Sequence, residues 1–439
     1  MELTPVRAHS PASRKAAMPD TTALADPTTH TPGRGAELAA LAAGHAQRFP
    51  WYRELLLERG ALGSGDLSDL PLIGTDLLAA HYYTAEHPQL PEASAYHTSG
   101  TSGGQRKRIL YSAADDDAYI AQRRLLFGEF TSSVPRGAVA VADLGTGHAA
   151  ASARRVFLEL GYEAHDIDFT SPVDEHVAKL NAWRPDVFFT MPMILDRLLQ
   201  ARPALDIRPR KIMVVGDVAP PAWRAHVAER FGLRPEDVLD VFGSIEIGAI
   251  GYSCAETGLY HFHDHIVPEV LAPEELSRHT GSDRVPVRHE GSGALLLTSL
   301  TRGYFPAVRY VTGDAVTGLR RIRHGGREVF AFERIDGRLA GDFKHGERIS
   351  NHDLAQIMAE VFPGHPFEAG DDDGLVIRVV ADSVDDEQVA AVRAAVDRWA
   401  PDVAQMIASG LVGPVRVRAV APDGLRSGQA KRRLDLKEG

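Results

Sequence analysis

The stretch His97-Thr-Ser-Gly-Thr-Ser-Gly-Gly-Gln-Arg-Lys-Arg108 concentrates groups that could hold an anion. Thr98, Ser99, Gly100, Thr101, Ser102 and Gly103 carry hydroxyls or no side chain, and the cations Arg106, Lys107 and Arg108 follow. Glycines let the backbone turn so that amide N–H groups converge on one point. The hydroxyls add donors, and the cations supply charge where a polyphosphate would lie. The pattern predicts a phosphate-binding loop. It differs from the common P-loop, since no Gly-Lys-Ser/Thr closes it. A solvated Ser/Thr/Gly surface loop has the same composition. Further clusters follow in order: Gly216-Asp217, Phe242-Gly243-Ser244-Ile-Glu246, Tyr310-Val-Thr-Gly-Asp314, Gly337-Arg338 with Lys344, and Gly428-Gln-Ala-Lys-Arg432.

Positioning these clusters requires a large α/β frame. Residues 37–49 have helical spacing closed by Pro50, and residues 51–59 form a second short helix. Residues 70–73 are extended and lead towards the Gly-rich loop. Strand-length apolar runs at 138–144, 164–169, 187–190, 211–215 and 238–242 alternate with helical patterns at 150–160, 173–183, 193–200 and 221–231. This alternation predicts a mainly parallel, doubly wound sheet. Its strand ends at Gly145, Thr190, Gly216 and Gly243 fall on the carboxyl edge, where such sheets bind ligands. From Tyr260 the strands shorten, which predicts a second, β-rich lobe. Residues 337–346 read as a hinge, and 375–381, 386–399 and 415–420 as a small α/β unit. The expected division is a disordered extension (1–35), a large amino-terminal part (36–337) and a small carboxy-terminal lid (338–439).

Composition narrows the class. The 439 residues are 44% apolar and 24% charged, ordinary globular values. With 48 basic and 59 acidic residues the net charge is −11, which argues against a general nucleic-acid or anionic-membrane binder. The single cysteine, Cys254, rules out an internal disulfide framework and suits a reducing cytoplasm. No run approaches the ~18 apolar residues of a membrane span. The first 35 residues have no apolar segment resembling a signal peptide, and Met1 and Met18 are both possible starts.

In their order and spacing, the loop at 98–108 and the clusters at 242–246, 310–314, 337–344 and 428–432 resemble the adenylate-forming enzymes, specifically the phenylacetate–CoA ligase-like branch. The resemblance covers residues 36–439 and implies two steps. ATP and a carboxylic acid give an acyl-adenylate and pyrophosphate, and a nucleophile then displaces AMP. It implies that residues 98–108 cradle the triphosphate. Glu246 helps hold Mg²⁺, for which a hard carboxylate is suited. Phe242 lies against adenine, Asp314 takes both ribose hydroxyls, and Arg338 contacts ribose or phosphate. Gly216 and Asp217 lie near the nucleotide. Each also has a plainer reading: Glu246 a solvated loop acid, Phe242 a packed strand-end aromatic, Asp314 a turn residue. His148, Thr190 and Met191 sit at or after strand ends and are candidates for the acyl pocket, although core packing explains the methionine equally well.

Two departures from the family pattern bear on function. The hinge has Ala340 and Gly341 where the family carries an acid, with Asp342 following. In Arg426-Ser-Gly-Gln-Ala-Lys-Arg-Arg-Leu-Asp435 the lysine expected to stabilise adenylation aligns with Gln429. A neutral amide cannot act as a point charge. Lys431, two residues on, faces the same side of an extended segment and is expected to substitute. The family's zinc ligands are also incomplete: Cys254 and His261 are present, but the later Cys-x-Cys is replaced by 322–327. His261, His263 and His265 alternate along the chain, and with Cys254 or His324 they would make up four ligands; a lost site with an inert thiol is the alternative.

The resulting expectation is an AMP-forming ligase for an aryl or arylacetic acid, with ATP, Mg²⁺ and coenzyme A as the default co-substrates. A carrier-protein thiol, an amine or another nucleophile is an alternative acceptor, as is activation of a non-carboxylate acid. The rival class is an ATP-binding pseudoenzyme, which Gln429 favours and Glu246, Asp314 and Arg338 oppose.

Overall fold

The computed structural model describes residues 34–97, 107–144, 148–168, 170–201, 204–278, 284–338, 349–372, 374–425 and 434–435. Its centre is a run of parallel strands: Val139–Asp143, Glu163–Ile167, Val187–Thr190, Lys211–Val215 and Val238–Ser244. Glu163–Ile167 lies outside Val139–Asp143, and the later strands add on the opposite side. The winding therefore reverses between Val139–Asp143 and Val187–Thr190, and the carboxyl ends of strands at such a reversal are where sheets of this kind bind ligands. Alternate residues feed opposite layers. Phe189 and Met213 pack with Ile120, Phe127 and Phe157, whereas Phe188 and Ile212 pack with Leu180, Leu195 and Trp223.

The helix Ala113–Phe130 has no counterpart among the sequence expectations. Its buried positions include Asp115 and Arg123 alongside Ile120, Leu126 and Phe127, so the apolar stripe that normally betrays a helix is broken. Its start is nevertheless well marked by a capping box between Ser112 and Asp115.

Beyond Val238–Ser244 the same sheet continues antiparallel through Gly248–Ser253, Tyr260–Phe262, Arg327–Phe332, Tyr310–His324, Gly291–Ser299 and Ile266–Leu271. The expected second, β-rich lobe is thus present and continuous, strand by strand, with the parallel strands. Tyr310–His324 is 15 residues long and pairs along its length with Arg327–Phe332, Gly291–Ser299 and Arg334–Arg338. Short apolar runs do not reveal such a shared strand.

The carboxy-terminal unit has a four-stranded sheet, in the order Arg416–Val420, Leu375–Val380, Phe367–Asp371, Leu434–Asp435. Helices Asn351–Val361, Asp386–Trp399 and Pro401–Ala408 accompany it; the first and last were not anticipated. It meets the large part through the Ala222 N–H donating to Gln356 Oε1 at 3.2 Å and Gln200 Nε2 donating to the Gly364 carbonyl at 3.1 Å. The hinge residues 339–348 lie outside the described residues.

The antiparallel half is locked by a fully buried pair. Arg309 donates to Glu269 at 2.8 and 3.2 Å and to the carbonyls of Leu67, Leu70, Val285 and Pro286 at 3.0–3.2 Å. Removing only the cation strands a carboxylate in the core. Arg309→Met is expected to lower unfolding stability by about 3–5 kcal/mol, read from urea denaturation. Adding Glu269→Leu is expected to recover part of that loss.

Candidate active site

Two short strands, Ser94–His97 and Arg108–Tyr111, form an antiparallel hairpin with His97 opposite Arg108. Residues 98–103 of the predicted phosphate loop lie outside the described residues, but both stems are in place. Lys107 stands with its Nζ 5.1 Å from the Tyr83 ring centre, and Arg108 donates to the Ala85 carbonyl. Tyr82 accepts from the Leu110 N–H at 2.9 Å and donates to the Tyr304 carbonyl at 2.7 Å.

A buried charge pair ties this stem to the Phe242–Glu246 cluster. Arg302 pairs with Asp115 at 2.9 Å and donates to the carbonyls of Glu246 at 2.9 Å and Leu110 at 3.1 Å. Its guanidinium lies 3.7 Å from the Tyr111 ring centre. Tyr111 in turn donates to the Ile245 carbonyl at 2.7 Å. Asp115 also accepts from the backbone N–H groups of Ser112, Gly303 and Tyr304. Sequence reading missed Asp115, Arg302 and Tyr111. The capping box at Ser112 was the available signal for Asp115; Arg302 had none.

Of the nucleotide candidates, Glu246 joins this clamp through its backbone carbonyl. Phe242 is half-buried, edge-on to Phe332 at 6.1 Å. Ser244 caps its own turn by accepting from the Ile247 N–H at 3.2 Å. Glu246 is half-buried, and no cation of the described residues forms an ion pair with its carboxylate. Gly216 is left-handed (φ 88°) at a strand end, and Asp217 accepts from the Val218 N–H at 2.9 Å. Strand register sets Asp314 directly opposite Arg338. Residues Gln429 and Lys431 and the side chain of Arg338 lie outside the described residues.

The three acyl-pocket candidates separate. His148 is ringed by Tyr96, Tyr111 and Tyr119, with ring centres 4.4–4.7 Å away. Its Nε2 lies 2.9 Å from Asp116 Oδ1, and burial lowers its pKa. An ionised Asp116 fixes the proton on Nε2 and leaves Nδ1 as an acceptor. Thr190 is fully buried in the sheet with its hydroxyl unpartnered among the described residues, and the half-buried Met191 packs against both helical layers.

The zinc candidates also separate. Cys254, His261 and His324 offer ligand atoms within 4.8 Å of one another. His263 and His265 stack on each other instead, at 5.7 Å, and do not join that group. The strand Tyr260–Phe262 ends before them, so the alternation expected from an extended chain is lost. The remaining donor set is one short of a closed structural zinc site, and His261 Nε2 already bonds Thr257 at 2.8 Å.

Against known proteins, the chain is 43% identical over 387 residues to the fumarate–(S)-2,3-diaminopropanoate ligase of Enterobacter agglomerans, covering 88% of this chain and 95% of that protein. The chain belongs to the adenylate-forming ligases. Within them it falls in the phenylacetate–CoA ligase-like branch. It is 27% identical to the phenylacetate–coenzyme A ligase of Thermus thermophilus over 290 residues, 61% of each protein. Residues 344–423 match the fumarate–diaminopropanoate ligase C-terminal domain family. The fold matches 2-hydroxyisobutyryl-CoA ligase in the postadenylation state with a TM-score of 0.68, at 18% identity, over 92% of this chain and 88% of that one. This adenylate-forming ligase is therefore AMP-forming and uses ATP. Among the described residues, no helix is long and apolar enough to cross a membrane.

Burial holds several imidazoles of this ligase neutral. His45 and His263 are lowered to about 3, and His261 and His265 to about 4, first by desolvation and then by neighbours such as Arg48, Arg123 and His324. In the unfolded chain these groups protonate near 6.5. Below that pH the unfolded state binds more protons, so stability falls as pH drops towards the folded values. Each imidazole contributes a slope of about 1.4 kcal/mol per pH unit in that window. Urea midpoints are expected to fall steadily between pH 6.5 and 5, above the range where carboxylates alone would act.

Proposed function

We propose that this ligase activates a short unsaturated dicarboxylic acid, fumarate, as its adenylate and transfers the acyl group to an amine of 2,3-diaminopropanoate. The 43% identity along 95% of the fumarate–diaminopropanoate ligase carries this reading. It replaces the aryl acid and coenzyme A expected from the broader resemblance.

A carboxylate oxygen of the acid attacks the α-phosphorus of ATP and pyrophosphate leaves. The loop at 98–108 and Lys431 hold the phosphates, and Asp314, Arg338, Phe242, Gly216 and Asp217 seat the nucleoside. Glu246, with its backbone clamped by Arg302 and no cation paired to it among the described residues, suits Mg²⁺, which offsets charge on the triphosphate. The amine nitrogen then attacks the acyl carbon, and the bond to the AMP oxygen breaks. An ammonium must first lose a proton. The Asp116–His148 pair is suited to accept it, because the imidazole is neutral and one ring nitrogen is an acceptor. The lid, 338–439, turns about the 337–346 hinge between the two steps.

Pyrophosphate release and product mass decide the matter. Fumarate with ATP and Mg²⁺ is expected to release pyrophosphate, diaminopropanoate to accelerate it and yield an amide, and coenzyme A to have no effect. A thioester product, or phenylacetate preferred over fumarate, overturns the reading. His148→Gln is expected to keep fumarate-dependent ATP–pyrophosphate exchange while slowing amide formation on the order of 100-fold, a loss that shrinks as pH rises and the free amine becomes available.

A further inference from the structure

Arg123 stands apart from the other buried arginines. Its side chain belongs to a residue only 4% exposed, yet Nη1 is closed off from water and has no hydrogen-bond partner among the described residues. Its Nε donates to the Tyr119 hydroxyl at 3.3 Å, and its guanidinium lies 5.3 Å from the Tyr119 ring and 5.8 Å from the Phe127 ring. Arg302 and Arg309 each have a carboxylate, Asp115 and Glu269. No carboxylate of the described residues pairs with Arg123. Rings offset only part of the cost of a desolvated cation, which otherwise runs to several kcal/mol. The imidazoles of His148, His263 and His265, which its charge reaches, carry no negative charge in either protonation state.

Its position points to the missing partner. A Cβ built on Gly243 would lie 2.7 Å from Arg123 Nη2 and 2.8 Å from the Gly248 carbonyl. The guanidinium thus reaches the strand end that carries Phe242, Ser244 and Glu246. One helical turn back on the same face, Tyr119 packs on His148, which Asp116 orients. The cation Arg123, the aromatic Tyr119 and the Asp116 that orients the proposed base share one face of the helix Ala113–Phe130.

We propose that Arg123 binds the distal carboxylate of the acid substrate while the other carboxylate faces the α-phosphate. This rests on the dicarboxylate reading and adds the residue that selects for it. The second negative charge supplies the anion that the buried guanidinium lacks, and a monoacid leaves that cation unpaired, which disfavours its binding.

The test is ATP–pyrophosphate exchange with fumarate and with its monomethyl ester, for the wild type, Arg123→Lys and Arg123→Gln. The wild type is expected to prefer fumarate over the ester. Arg123→Gln is expected to raise the KM for fumarate about 10- to 100-fold, leaving the KM values for ATP and the ester near wild type. Arg123→Lys should fall between. Equal use of fumarate and ester by the wild type overturns the assignment even if Arg123→Gln does not fold. So does fumarate exchange that Arg123→Gln leaves untouched. Turnover of monocarboxylates with silence on every dicarboxylate overturns the substrate reading itself, and this assignment with it.

Discussion

The ordering of the site depends on one buried ion pair, Asp115 with Arg302. Through it, the start of helix Ala113–Phe130, the hairpin stem at Leu110 and the backbone of Glu246 are held as a unit. A buried pair contributes little net stability unless its remaining donors and acceptors are also met. Here backbone groups from three segments meet them, so the pair acts mainly as a positional device. The same inter-strand segment supplies Arg309, whose donors are likewise spent on Glu269 and four carbonyls. Residues 302–309 thereby fix the site at one end and the antiparallel half of the sheet at the other.

That arrangement gives meaning to the exception. The other two deeply buried arginines, Arg302 and Arg309, each meet a carboxylate; Arg123 meets none among the described residues and lies beside the strand end that leads into the Phe242–Glu246 cluster. Preorganised charge of this kind is effective because its desolvation cost is met on folding rather than during the reaction. The neutral imidazoles around it serve the same end, since a protonated His148 or His263 beside Arg123 would repel it and could not accept a proton.

The two proposed steps make different demands, and the fold separates them. In the proposed scheme, phosphate chemistry falls to residues 98–108, Glu246 and the lid, while acyl chemistry falls to the face of Ala113–Phe130 that bears Asp116, Tyr119 and Arg123. A change of acceptor from thiol to amine alters the second set far more than the first. This accords with nucleotide motifs that follow the general family pattern beside a lid signature and a zinc-ligand set that do not.

The sequence by itself determined the parallel sheet and the helices at 173–183, 221–231 and 386–399. Apolar runs buried on both faces and helical spacing are local signals, and local signals survive in one dimension. It did not determine the long helix whose buried face carries Asp115 and Arg123, the Tyr310–His324 strand shared by three neighbours, or the fate of the histidines after Tyr260–Phe262. Only the tertiary structure decided that Asp115 meets Arg302 and that Arg123 meets no carboxylate among the described residues, because whether a buried charge is paired depends on segments that are far apart in the chain and adjacent only once it has folded.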